Sequence, residues 1–145
     1  MSMSEIANVL LVNRAIITDN DRILLLQRSR DDSHNAGLWE FPGGKIDADE
    51  EPEDGLVREV FEETGLIVST SSSIAHIETE LIKSGRYEGR LYVALFYAAQ
   101  RISGDLTLSN EHSVAQWEKP ALATSYDLTL ASRRALISLC KIGAI

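Results

Sequence analysis

The sequence predicts a mixed α+β fold, with two helices packed on the faces of a mixed sheet. Three observations lead there. Several short segments are rich in Val, Leu and Ile, and two longer segments carry helical periodicity. The two kinds of segment do not alternate regularly, as a doubly wound parallel sheet requires. At 145 residues, 44% of them hydrophobic and 25% charged, the chain reads as one globular domain spanning 1–145, long enough to bury a core.

The elements follow in order. Residues 9–18 (VLLVNRAIIT) read as a strand, Asp19-Asn20-Asp21 as a turn, and residues 22–27 as a second strand completing a hairpin. Residues 30–37 are polar and read as a loop. Residues 38–41 are a short extended piece, stopped by Pro42-Gly43-Gly44. Residues 53–64 form a helix: Pro52 suits its first position, acidic residues crowd the first turn where the dipole favours them, and Gly65 suits the position just past its end. Residues 66–68, 74–80, 91–98 and 114–117 read as strands, with the polar stretch 69–73 as a loop. Residues 128–140 read as a second helix, with Leu128, Ala131, Ala135 and Leu139 near one face.

The totals exclude several classes. A net charge of −8 argues against binding a nucleic-acid polymer through its backbone, although divalent cations still allow a nucleotide as ligand. No apolar run approaches the roughly 20 residues that span a bilayer, so no membrane partner is expected. The N-terminus lacks a basic segment followed by an apolar one, and Cys140 is the single cysteine; both fit a cytoplasmic, reducing location. Cys140 sits in an apolar helical pattern and reads as a packed side chain.

The acidic excess concentrates between Asp47 and Glu63. At about 100° per residue, Leu56, Val57, Val60 and Phe61 form the buried face of the first helix, and Glu59, Glu62 and Glu63 form a stripe beside it. Gly55 falls inside that stripe, one turn before Glu59. Its missing side chain leaves room for an ion or ligand, at about 1 kcal/mol of helix propensity. Arg58 stands four residues before Glu62 and can pair with it. Oxygen donors in this number suit Mg²⁺ or Mn²⁺ rather than zinc. Mg²⁺ so held completes its shell with water and substrate phosphate, which points to a metal-dependent phosphate enzyme.

Gly44, Glu50, Arg58, Glu59, Val60, Glu62, Glu63, Gly65 and Leu66 meet every fixed position of the pattern G-x5-E-x7-R-E-U-x-E-E-x-G-U, where U is aliphatic. The segment therefore resembles a Nudix box. Gln27-Arg28, the run from Gly37 to Lys45, and Glu111-His112 followed by Trp117 are similar to MutT-like nucleoside triphosphate pyrophosphohydrolases. The resemblance implies the Nudix α/β/α sandwich, with the box as loop–helix–loop. It implies hydrolysis of a nucleoside diphosphate linked to another moiety, by attack of water on phosphorus. Glu59, Glu62 and Glu63, the Gly44 carbonyl and Glu111 would be ligands of Mg²⁺ (or Mn²⁺). Glu59 would orient or deprotonate the water, with Glu111 as the alternative base. Glu50 would close the loop onto the helix, and Arg58 would orient a carboxylate. Arg28, His34 and Lys45 stand where relatives contact phosphate or nucleotide. Trp39 and Trp117 read as core or wall aromatics. Asp47 and Asp49 depart from the residues common in relatives but touch no defining position. Dimers are common among relatives, which leaves a homodimer open.

ADP-ribose branches often carry a Pro about 15 residues after the box, and dinucleotide polyphosphate branches a Tyr about 17 after it; the residues around Leu81 to Ser84 supply neither. A (deoxy)nucleoside triphosphate, cleaved to monophosphate and pyrophosphate, is the expectation. The alternatives are a nucleotide-sensing module on the same fold, or a hydrolase of a nucleotide sugar, ADP-ribose or dinucleotide polyphosphate. Asp127 is expected to cap the last helix, the alternative being contact with an exocyclic amine of a base. Tyr87 and Arg90 flank a Gly-containing turn and are candidates to line a base pocket.

Overall fold

The computed structural model describes residues 8–32 and 35–145. In order, the elements are β1 (Val9–Asp19), β2 (Arg22–Arg28), β3 (Trp39–Glu40), β4 (Gly43–Lys45), α1 (Pro52–Thr64), β5 (Ile67–Leu81), β6 (Leu91–Ser103), β7 (His112–Glu118), α2 (Pro120–Ala123) and α3 (Leu130–Lys141). The strands join one sheet in the order β3-β2-β1-β6-β5, with β4 on β1 and β7 on β2. β1 runs parallel to β6 from Val9↔Leu91 to Thr18↔Gln100, while the other pairings are antiparallel, so the sheet is mixed. Asn20 and Asp21 both take positive φ, as the tight β1–β2 hairpin turn requires.

Alternation along the strands divides the core in two. Ile16, Ile23, Leu25, Ala94 and Phe96 face α3, where Ala135, Leu136 and Leu139 cover them. Ala15, Ile17, Leu24, Leu26, Tyr97 and Ala99 face α1, which contributes Leu56 and Val60. Each of those two side chains, fully buried, stabilises the fold by about 1.5–3 kcal/mol. Helices on both faces of one mixed sheet make the α/β/α sandwich the sequence implies. Among the described residues, no helix is long and apolar enough to cross a membrane.

Several local expectations change. Residues 69–73 are not a loop between strands. β5 is continuous, and its register against β6 shifts between Thr70 and Ile74, so Ser71, Ser72 and Ser73 form an exposed irregularity within it. Phe61 is 55% exposed rather than buried. The buried arc of α1 holds Gly55, Leu56, Val60, Glu63 and Thr64, so the helix is rotated to carry Glu63 inward and Phe61 outward. The last helix starts at Leu130 with Thr129 as its N-cap, not Asp127. Asp127 instead lies in the segment that meets β3, where its carbonyl accepts from Trp39 N (2.8 Å), and Thr129 N donates to Trp39 O (2.9 Å). That backbone pairing holds the chain extended through residue 129 and delays the helix. Neither β4 nor the short α2 was expected. β4 exists because Gly43 approaches β1 closely: a Cβ there would stand 2.1 Å from Asn13 O. Gly65 takes φ 74° and closes α1, its N–H bonding Phe61 O.

Candidate active site

A cavity of about 790 Å³ opens where β1, β4 and α1 meet the β5–β6 loop and the start of β7. Gly44, Glu59, Glu63 and Glu111 contribute to one part of its wall, and Arg14, Arg28, Lys45 and Lys83 supply cations. Val12↔Lys45 and Asn13↔Gly44 pairing brings the Gly-Gly turn against β1. Asn13 Nδ2 donates to Pro52 O (2.7 Å), tying β1 to the start of α1. The helix thereby presents Glu59 and Glu63 to the turn. A Cβ on Gly44 would meet the Glu59 carboxyl at 3.0 Å, so the glycine is what admits that carboxylate.

The acids divide by environment. Glu63 is 5% exposed, and Gly43 N donates to its Oε2 (3.3 Å). Burial pushes it up to about 8, against the pull of Arg14 and the Gly43 N–H, with Glu40 and Glu111 adding repulsion. Burial also raises Glu59; Arg58 opposes this, while Glu62 and Glu111 reinforce it. Glu59 and Glu63 thus each feel the charge of Glu111, and all three line the cavity. Glu62 does not share it. It is exposed, off the cavity wall, and both its oxygens accept from Arg58 Nη1 (3.2 and 3.1 Å).

Arg58 joins four acids. Its Nε and Nη2 fork onto Glu50 (3.1 and 2.6 Å), Nη2 also reaches Asp47 (3.2 Å), and Nη1 reaches Glu59 (3.4 Å) as well as Glu62. The paired guanidinium holds Glu50 below the ordinary carboxylate range. This confirms the expected Arg58–Glu62 pair and brings in Asp47, to which no role was assigned. It overturns the reading of Gly55. A Cβ there would stand 2.6 Å from Glu50 Oε1, so the missing side chain makes room for Glu50 to close over the helix, not for an ion or ligand.

Arg28 lies on the wall, its Nη1 donating to Glu40 Oε2 (2.9 Å) and its Nη2 paired with Asp32. Lys45 is also on the wall, bonded to the Tyr87 hydroxyl and lying 4.5 Å from that ring's centroid. Tyr87 lines the cavity; Arg90 does not, but lies 5.3 Å from the Tyr87 ring. Asp127 is exposed and away from the cavity wall. His34 lies outside the described residues. Trp39 packs edge-on against Tyr126 beside the α3-side core, and Trp117 packs on the α1-side core, both as expected of wall aromatics. Cys140 is partly buried against the core, and burial pushes its thiol up.

Sequence reasoning missed Arg14, Glu40 and His112. Arg14 Nη1 donates to Phe41 O (3.1 Å) and Nη2 lies 3.7 Å from Glu40 Oε1. His112 Nε2 lies 2.9 Å from Glu40 Oε2. The available signal was the polar pair Asn13-Arg14 inside an otherwise apolar strand, since polar groups in a core are kept only with partners.

Residues 10–138 match the NUDIX domain family. The chain belongs to the Nudix hydrolase family, in its MutT-like branch. A CTP pyrophosphohydrolase of Escherichia coli (strain K12) is 35% identical over 117 residues, covering 81% of each chain. A MutT-like protein of Streptomyces ambofaciens is 31% identical over 105 residues, covering 72% of this chain and 60% of that protein. The solution structure of the E. coli ORF135 protein superposes with a TM-score of 0.80 at 29% identity, covering 94% of this chain and 92% of that one. The Nudix box is thus the loop from β4, helix α1, and the turn into β5.

The donors of the Nudix box and its surroundings are hard oxygens, and the Gly44 cradle leaves the Glu59 carboxylate unobstructed, so the residues present fit Mg²⁺ or Mn²⁺. Among the described residues, no three carboxylates, histidines or cysteines already converge into a complete ligand set.

Proposed function

We propose that this Nudix protein is a Mg²⁺-dependent pyrophosphohydrolase of nucleoside triphosphates. The observation that carries the reading is the cavity whose wall holds Glu59, Glu63, Glu111 and Gly44 together with the cations Lys45 and Arg28. Acids alone would repel a polyphosphate, and cations alone would only bind it; the combination suits a phosphate chain brought in with a divalent ion. Gly44, Glu59, Glu63 and Glu111 would hold the metal, and Mn²⁺ could take its place. Glu62 joins that set only by leaving Arg58. When bound, the ion neutralises phosphate charge and lowers the pKa of water.

The chemistry requires a water oxygen to form a new bond to phosphorus while a bridging P–O bond breaks, releasing pyrophosphate and a nucleoside monophosphate. The water's proton passes to a carboxylate, for which Glu59 is the candidate. Arg58 positions Glu50, Glu59 and Glu62, and so acts through them. Lys45 and Arg28 would take non-reacting phosphate oxygens, Arg28 as a planar fork and Lys45 as a point charge. Because a relative is named a CTP pyrophosphohydrolase, pyrimidine triphosphates lead the list of substrates to test.

The test is turnover of nucleoside triphosphates, oxidised nucleotides, ADP-ribose and dinucleotide polyphosphates with Mg²⁺ and with Mn²⁺, with products resolved. Pyrophosphate and monophosphate from a triphosphate are expected, and Glu59→Gln should abolish turnover while the protein stays folded. Release of inorganic phosphate alone, or undiminished activity in folded Glu59→Gln, would refute the assignment.

A further inference from the structure

The carboxylate of Glu40 has no part in the chemistry above, yet it stands on the cavity wall, only 3% exposed. Both its oxygens are engaged. Oε1 faces Arg14 Nη2 at 3.7 Å, while Oε2 accepts from Arg28 Nη1 and lies within hydrogen-bonding reach of His112 Nε2, both at 2.9 Å. These partners come from β1, the end of β2 and the start of β7, and Glu40 itself from β3. Register explains the convergence. Leu26↔Glu40 and Arg28↔His112 pairing sets β3 and β7 on either side of β2. Replacing a buried ionic cluster by packed apolar groups is often neutral or favourable for stability, so stability alone gives a weak account of this one. Its geometry gives a better one. Arg28 is the more exposed of the two arginines, its side chain 19% exposed against 13% for Arg14, and both line the cavity.

We propose that Glu40 is a positioning residue that aims the guanidinium of Arg28 at the phosphates of a bound nucleotide. His112 supplies a third contact that holds the Glu40 carboxylate in place. With both oxygens occupied, Glu40 acts through its cations and does not read the base. Asp32 pairs with the Arg28 guanidinium through Nη2, beside the Glu40 contact on Nη1. The inference rests on reading the cavity as a nucleotide site.

Steady-state kinetics on a double-mutant cycle test it. Glu40→Gln removes the charge; Glu40→Asp keeps the charge and withdraws the carboxylate by one methylene, so the test survives if the glutamine variant fails to fold. Each is measured alone and in an Arg28→Ala background, with CTP and GTP. Each Glu40 variant should raise KM about tenfold for both nucleotides alike, with kcat within about twofold. In the Arg28→Ala background the same change should add less than about twofold. An equal rise in both backgrounds would show a merely structural effect and overturn the proposal, as would a shift in the CTP-to-GTP preference. Failure of the unmodified chain to hydrolyse any nucleotide would overturn the functional reading as well, whereas additivity overturns this inference alone.

Discussion

Glu63 offers a test in which activity and stability move in opposite directions. Its carboxyl is 5% exposed and is pushed up to about 8, chiefly by burial, from an ordinary 4.5. A folded-state pKa above the unfolded value means that the fold favours the protonated form. That contribution is full below about pH 4.5 and is lost as pH rises through about 8. At about 1.4 kcal/mol per pH unit, the loss has a ceiling of about 5 kcal/mol. Glu63→Gln replaces the acid with a neutral group of the same shape whose amide oxygen can still accept from Gly43 N. The shift to about 8 is already net of the attraction of Arg14. The metal-free variant should therefore be more stable than the parent by about 2 kcal/mol or more at pH 8.5, and nearly equal to it at pH 4.5. Urea denaturation in EDTA at several pH values measures this. Stabilisation of the folded protein by added Mg²⁺ should be lost in the variant. Parallel pH profiles for parent and variant, or a variant destabilised throughout, would refute the reasoning that burial of a charge strains this site.

Two further outcomes follow from neighbouring groups. Burial raises Glu40, but Arg14, His112 and Arg28 outweigh it and hold the group at about 2. Its stability contribution is present above about pH 4.5 and should fall away by about 3 kcal/mol as pH drops toward 2, a loss that Glu40→Gln should not show in acid titrations followed by circular dichroism. Gly55→Ala should keep or slightly raise the melting temperature, because alanine gains about 1 kcal/mol of helix propensity. It should nonetheless lower kcat/KM at least about tenfold, because its Cβ displaces Glu50 and so disturbs Arg58 and the acids it orients; unchanged kinetics would argue that Glu50 closure is not needed for activity.

Helix α1 was legible in the sequence because its determinants are local. Pro52 opens it, Gly65 closes it, and Leu56 and Val60 face the core at helical spacing. The hairpin turn at Asn20-Asp21 was legible for the same reason. What failed was what depends on neighbours. The rotation of α1 is set by the strands beneath it, which bury Glu63 and leave Phe61 outside. Gly55 looked like room for an ion because periodicity shows an absent side chain but not what fills the gap; Glu50, folding back from the preceding loop, fills it. Asp127 looked like a cap because it precedes an apolar helix, yet backbone pairing with Trp39 holds the chain extended to Thr129.

The sequence by itself determined the α+β class, the box and its helix, and the carboxylates and cations from which a phosphate site could be built. Those properties depend on residue type and short spacing. Only the tertiary structure decided which of them meet. It put Glu59, Glu63 and Glu111 around one cavity, turned Glu62 outward onto Arg58, and left Asp127 off the wall. It also joined Arg14, Arg28, Glu40 and His112 into one buried cluster. These four come from four strands, and strand order and register, which no local pattern encodes, bring their charges within bonding distance.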